Sequence, residues 1–67
     1  GRVDMVVRMP DAIYVFEMKM GDSAQTALQQ INNRGYAIPY QTDDRKVVKV
    51  GVKFNAETRV PEEWVIS

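Results

Sequence analysis

Two short apolar runs carry charge where a half-buried strand ordinarily carries Thr or Ser. "GRVDMVV" at residues 1–7 holds Asp4, and "YVFEMKM" at residues 14–20 holds Glu17 and Lys19. The chain contains no cysteine and no histidine, which excludes thiolate metal sites and nucleophiles and removes the usual general base and zinc ligand. The chemistry left runs on carboxylates, lysine, hydroxyls and a hard metal ion. Two carboxylates a few ångströms apart suit magnesium, which takes oxygen ligands and keeps several waters. Such an ion activates water, orients a phosphate and stabilises charge on the leaving oxygen. Lys19, two residues beyond Glu17 and so on the same strand face, positions that water or neutralises phosphoryl oxygens. The combination describes phosphodiester hydrolysis.

That chemistry requires Asp4 and Glu17 to meet, and the connection between the two runs decides whether they do. With Pro10 and Asp11 as the two turn residues, Met9 pairs with Ala12, Asp4 lies opposite Glu17, and Arg2 lies opposite Lys19. Opposed residues of a hairpin share a face with Cβ atoms about 4.5–5.5 Å apart, where like charges repel unless a cation lies between them. A slip of one residue would send the acids to opposite faces. The same three residues on a solvated face would be ordinary ion pairs, Glu17 with Lys19 or Arg2, of little energetic consequence. The setting speaks against that: Ile13, Tyr14, Val15, Phe16, Met18 and Met20 surround the charges, as in a central strand covered on both faces, with Met18 and Met20 as core fillers. Charges buried there must be satisfied by one another or by a metal.

The remaining elements follow from periodicity. Arg2–Arg8 and Ile13–Met20 form the antiparallel hairpin. Gly21-Asp22-Ser23 breaks the second strand and offers Asp22 or Ser23 as a helix cap. Ala24, Ala27, Leu28 and Ile31 make one helical stripe, Gln25, Gln29, Asn32 and Asn33 face away, and Gly35 suits the end of the helix. Tyr36 to Tyr40 is a turn or short irregular continuation, and residues 41–44 are a polar loop. Lys46 to Phe54 alternates, with Val48, Val50, Val52 and Phe54 on one face and Val47, Lys49, Gly51 and Lys53 on the other. Strand, helix and strand make a right-handed βαβ unit with parallel strands. After a loop, Glu62–Ile66 is a short terminal edge strand. The expected fold class is α/β, ββαββ, a small mixed sheet crossed by one helix.

Composition narrows the rest. A chain of 67 residues is one domain with a small core, buries about 60% of its unfolded surface, and needs help from further residues or a second copy. Nine basic residues balance nine acidic ones, so net charge alone does not make it a nucleic-acid binder. No apolar run approaches the roughly 20 residues of a membrane span, and a cytoplasmic protein is the expectation. The start at Gly1, directly into a strand, reads as a fragment of something longer.

An Asp in one strand followed by Glu-x-Lys in the next resembles the signature of the PD-(D/E)XK nuclease superfamily, here Asp4, Glu17 and Lys19. "ALQQINNRGYAIPY" followed by "RKVVKVGVKFNAETR" is similar to bacterial PD-(D/E)XK domains found C-terminal to an AAA-ATPase-like module. The resemblance spans nearly the whole chain. It implies a restriction-endonuclease-like core, of which residues 1–67 would be a fragment lacking the first helix and strand. It also implies a divalent metal, Mg²⁺ or Mn²⁺, held by Asp4, Glu17 and the main-chain carbonyl of Met18, with Lys19 as catalytic lysine. By the same resemblance Gln30 and Tyr36 fall where these domains carry Gln and Tyr near the active site, Gln30 as a catalytic residue and Tyr36 as a nucleic-acid contact, and Arg34 stands where relatives tend to carry Lys. Val3 stands in place of the proline of the signature.

Lys49 and Lys53, with Arg45, Lys46 and Arg59, are candidates for a phosphate-contacting patch or for a solvated face. Trp64, Phe54 and Tyr40 read as core or interface anchors. The expected activity is metal-dependent hydrolysis of DNA by a homodimer. The alternative is a nuclease-like module that binds nucleic acid or a partner protein without cutting.

Overall fold

The computed structural model describes residues 4–67. Its elements are β1 (Met5–Arg8), β2 (Ala12–Met20), α1 (Ala24–Asn33), a 3₁₀ turn (Ile38–Tyr40), β3 (Lys46–Phe54) and β4 (Pro61–Ile66). They form one mixed sheet in the order β1-β2-β3-β4. β2 and β3 run parallel, and β1 and β4 flank them antiparallel. This is the expected ββαββ plan, a small α/β architecture consistent with a fragment of a restriction-endonuclease-like core. No helix among the described residues is long and apolar enough to cross a membrane.

Local sequence chemistry sets the boundaries. Pro10 and Asp11 turn the chain, and the Met9 amide donates to the Ala12 carbonyl at 2.8 Å, so the pairs run Arg8↔Ile13, Val7↔Tyr14, Val6↔Val15 and Met5↔Phe16. Ser23 caps α1: its backbone is extended and its hydroxyl accepts the Thr26 amide at 3.0 Å, satisfying one of the free donors of the first turn. The helix ends at Arg34, after which Gly35 takes a φ of 65° and the Tyr36 amide reaches back to the Ile31 carbonyl at 3.0 Å. A left-handed residue with that backward bond closes a helix, and glycine adopts it without steric penalty. The expected pairing of Arg2 with Lys19 and the start of the first strand at Arg2 lie outside the described residues.

The core sits between α1 and one face of the sheet. Ala24, Ala27, Leu28 and Ile31 pack down onto Ile13 and Val15, with Tyr36 and Ala37 closing the end and Val6, Val47 and Val65 at the margins. Gly51 in β3 makes this close approach possible, since a Cβ there would strike the Ala24 carbonyl and lie 2.7 Å from the Leu28 nitrogen.

The other face of the sheet corrects the expectation of a central strand covered on both sides. Among the described residues one helix covers one face. The second face, with Phe16 and Met18 of β2, Val52 and Phe54 of β3 and Trp64 of β4, forms an open apolar trough of about 400 Å³. Met18 and Met20 therefore do not fill a core; Met18 lines this trough and Met20 is 54% exposed. Trp64, at 62% exposed on the edge strand β4, is no core anchor either. Apolar residues on both faces of a strand record that both faces are meant to be covered, and they do not say which residues do the covering.

Candidate active site

Continuing the β1–β2 register by one residue sets Asp4 opposite Glu17. Asp4 lies just before β1 and substitutes for a ladder partner: its Oδ2 accepts the Met18 amide at 2.8 Å. That bond fixes the Asp4 carboxylate against β2 between the two charged positions of Glu-Met-Lys. Glu17 and Lys19 share the helix-covered face of β2, in line with the core residues Ile13 and Val15.

Glu17 is the one charged side chain buried among the described residues, 4% exposed. Gln30, from the second half of α1, donates through Nε2 to Glu17 Oε2 at 2.5 Å. The other oxygen, Oε1, is buried with no hydrogen-bond partner among the described residues. A carboxylate oxygen orphaned in this way is costly and calls for a partner. Burial raises the Glu17 carboxyl above its ordinary pKa, and Asp4 raises it further, through like charge and by accepting the proton of a neutral Glu17. Lys19 and Arg34 act in the opposite sense.

Gly51 is the residue beside Glu17 in the parallel β2–β3 register. Its missing side chain lets α1 descend onto the sheet, and that descent brings Gln30 within reach of Glu17 and buries the carboxylate. A single glycine inside a regular strand signals such a backbone approach, and Gly51 is the sequence clue to it. Glu63 had no comparable clue: from β4 its Oε1 accepts the Ala24 amide at 2.9 Å, anchoring the start of the helix that carries Gln30, with a negative charge where the helix dipole favours one.

The other expected residues scatter. Tyr36 is 8% exposed and belongs to the apolar core, a placement that leaves it little surface for nucleic acid. Lys49 donates to Asn32 Oδ1 at 2.8 Å. Lys53, next to Lys19 across β2 and β3, pairs with Glu62 at 3.2 Å. Arg45 is engaged by Asp43 and by the Met9 carbonyl. The basic residues of β3 and its approach are thus tied to neighbours on different elements.

The donors expected of a metal site here, the Asp4 and Glu17 carboxylates and the Met18 carbonyl, are all oxygen. No group of three or more His, Cys, Asp or Glu side chains capable of holding a metal occurs among the described residues. A hard divalent ion that retains waters needs no such group, and the orphaned Glu17 Oε1 beside Asp4 is the kind of acceptor that it satisfies.

A small mixed sheet crossed by one helix, with paired acids and a lysine at the end of its hairpin, defines the class of nuclease-like α/β domains. The sequence pattern of the PD-(D/E)XK nuclease superfamily matches residues 1–64, and the chain belongs to that superfamily. It is also 36% identical over 68 residues to a protein of Azotobacter chroococcum mcd 1 described as "Uncharacterized protein in vnfD 5'region". That match covers 98% of this chain and 13% of the relative, so the chain spans a small part of that protein's length. No solved structure matches it.

Proposed function

We propose that this chain carries the metal-binding and catalytic residues of a nuclease that hydrolyses phosphodiester bonds in DNA. The observation that carries this reading is the state of Glu17, buried beside a second carboxylate, with one oxygen held by Gln30 and the other unpartnered. Two carboxyls this close share either a proton or a cation, and the unpartnered Oε1 beside Asp4, on the strand face that carries Lys19, supports the cation.

Asp4, Glu17 and the Met18 carbonyl would hold Mg²⁺ or Mn²⁺, which would supply Lewis acidity toward water and the phosphoryl oxygens. Gln30 is a positioning residue: its amide holds Oε2 of the Glu17 carboxylate and leaves Oε1 available to a cation. Asp4 is oriented in the same way by the Met18 amide. Lys19 carries its ammonium on the same strand face, with no hydrogen bond or ion pair among the described residues, and directs it at the phosphoryl oxygen or the attacking water. Hydrolysis adds the water oxygen to phosphorus and breaks the bond to the leaving sugar oxygen, which takes up a proton. Lys19 stabilises the negative charge that builds on the phosphoryl group meanwhile.

The wider reading places this chemistry in the cytoplasm, in a homodimer and in a longer chain that includes an ATPase-like module. The uncovered apolar face, with Trp64 at its edge, favours a second copy, because a two-fold axis there covers the face on both protomers at once.

Incubation of supercoiled plasmid and of single-stranded DNA with the protein, with and without Mn²⁺, tests the reading. The wild type nicks in a metal-dependent way and Lys19→Ala loses at least two orders of magnitude of that activity. Equal residual nicking by both proteins contradicts it.

A further inference from the structure

One side of α1 is neither buried nor randomly polar. Thr26, Gln29, Gln30, Asn33 and Arg34 line a groove of about 220 Å³, at positions i, i+3, i+4, i+7 and i+8 of the helix, a single stripe. The apolar stripe of Ala24, Ala27, Leu28 and Ile31 faces the sheet, and the polar stripe runs beside it. Gln30 belongs both to this groove and to the carboxylate centre, because the same side chain donates to Glu17. The groove therefore runs alongside the proposed catalytic acids.

Its chemistry is one-sided. The lining offers three amides, a hydroxyl and a guanidinium, and no carboxylate. Of the described cations, Lys19, Arg34, Lys46 and Arg59 have no side-chain hydrogen bond or ion pair, and among these four only Arg34 lines the groove. Arg45, Lys53 and Lys49 are held by Asp43, Glu62 and Asn32, and Arg8 lies over the Tyr40 ring at 5.4 Å. Arg34 donates only its backbone amide, and its guanidinium has no hydrogen bond or ion pair among the described residues. A free guanidinium at the end of a row of neutral hydrogen-bonding side chains suits an anion that is repeated along a polymer and flanked by sugar and base edges. The fork of a guanidinium matches the two unesterified oxygens of a phosphodiester.

We propose that the polar stripe of α1 is the track for the nucleic-acid strand being cleaved, with Arg34 bound to a phosphate next to the scissile one and Gln29, Asn33 and Thr26 bordering the nucleotide between. The inference rests on the nuclease reading for its substrate class and separates from it in its consequences. Arg34 acts chiefly by binding substrate, with a secondary electrostatic effect on the Glu17 carboxyl, whereas Lys19 acts at the bond that is broken. Neutral amides give the track hydrogen bonds without a set of charges, so affinity is carried by Arg34 and falls with salt.

Binding of a fluorescent single-stranded DNA 20-mer to the non-cleaving Asp4→Asn protein, followed by anisotropy over a range of salt concentrations, tests this. Adding Arg34→Gln weakens binding about tenfold at low salt and reduces the slope of log K against log salt by about 0.7, the loss of one phosphate contact on a single strand. Arg34→Lys restores most of the slope. Gln29→Glu, which sets a carboxylate in the groove, weakens binding in the same direction. In the otherwise wild-type protein, Arg34→Gln raises KM, whereas a purely structural cation at a helix end would move neither KM nor the salt slope. Unchanged affinity and slope in Arg34→Gln overturn the proposal even if the wild type cuts DNA. An Arg34-dependent slope in a wild type that never cuts upholds the groove as a strand-binding site and defeats the hydrolysis reading instead.

Discussion

Gly51 stands beside Glu17 across the β2–β3 ladder, and the space its side chain would fill is taken by the backbone of α1 at Ala24 and Leu28. The smallest residue of β3 is thus what puts a lid on the buried carboxylate. The fold and the site meet at this pair: the helix packs closely because of Gly51, and it buries Glu17 and delivers Gln30 because it packs closely.

Gly51→Ala forces the helix away from the sheet. The clash is with main-chain atoms, which cannot rotate aside, so the cost is that of an overpacked core, about 1–3 kcal/mol. Urea unfolding should show a lower midpoint with a similar slope, and nicking activity should fall further than stability does, because the Gln30–Glu17 bond is stretched. A fully active, fully stable Gly51→Ala protein would mean that the close approach has no such role.

Glu17→Gln should stabilise the metal-free protein at neutral pH while abolishing cleavage. The substitution keeps an acceptor for Gln30 and removes a charge that is buried next to Asp4. In a domain of this size each ~1 kcal/mol recovered raises Tm by roughly 4–8 °C. Thermal unfolding in a chelator measures it. A lowered Tm would show that the Glu17 charge is compensated within the chain and does not await a cation, the usual trade between site and stability being absent.

The loop before β3 sets an acid limit. Hydrogen bonds from the Arg45 side chain and amide hold the Asp43 carboxyl well below the usual carboxylate range. Its folded-state pKa is depressed, so its contribution to stability is present above the unfolded value near 3.8 and is lost as pH falls through the folded value. Asp43→Asn should leave a protein less stable at pH 5–7 with a flatter acid limb below pH 4. Arg45 also donates to the Met9 carbonyl at 3.2 Å, so the variant should speed amide exchange at the β1–β2 turn. An acid limb identical to that of the wild type would contradict the assignment.

Much of this was legible in the sequence, for particular reasons. Pro10 and Asp11 admit few hairpin connections, and once the turn is fixed the register of every pair follows, Asp4 with Glu17 included. The spacing of Ala24, Ala27, Leu28 and Ile31 specifies the buried side of α1, and Gly21-Asp22-Ser23 specifies its start. Other features depend on distances that no local pattern encodes. Glu63 caps α1 from 39 residues away. Glu62 reaches Lys53 where the β3–β4 ladder is irregular at Lys53/Phe54, and that pairing sets an acid beside a cation expected for phosphate. Tyr36 went inward because the left-handed Gly35 turns the chain back over the helix end. The apolar run of β2 signalled burial on both faces and left unsaid that one of them is open among residues 4–67.

Divalent-ion binding tests the central claim most directly. Calorimetric titration of the protein with Mn²⁺ or Mg²⁺ should give a site that also raises Tm by mass action, and both the heat and the Tm gain should vanish in Asp4→Asn and in Glu17→Gln, while Lys19→Ala retains them. Asp4→Asn keeps an oxygen able to accept the Met18 amide, so it removes charge without removing that contact. Ion binding that is absent from the wild type, or that survives both substitutions undiminished, would contradict a metal site built from Asp4 and Glu17.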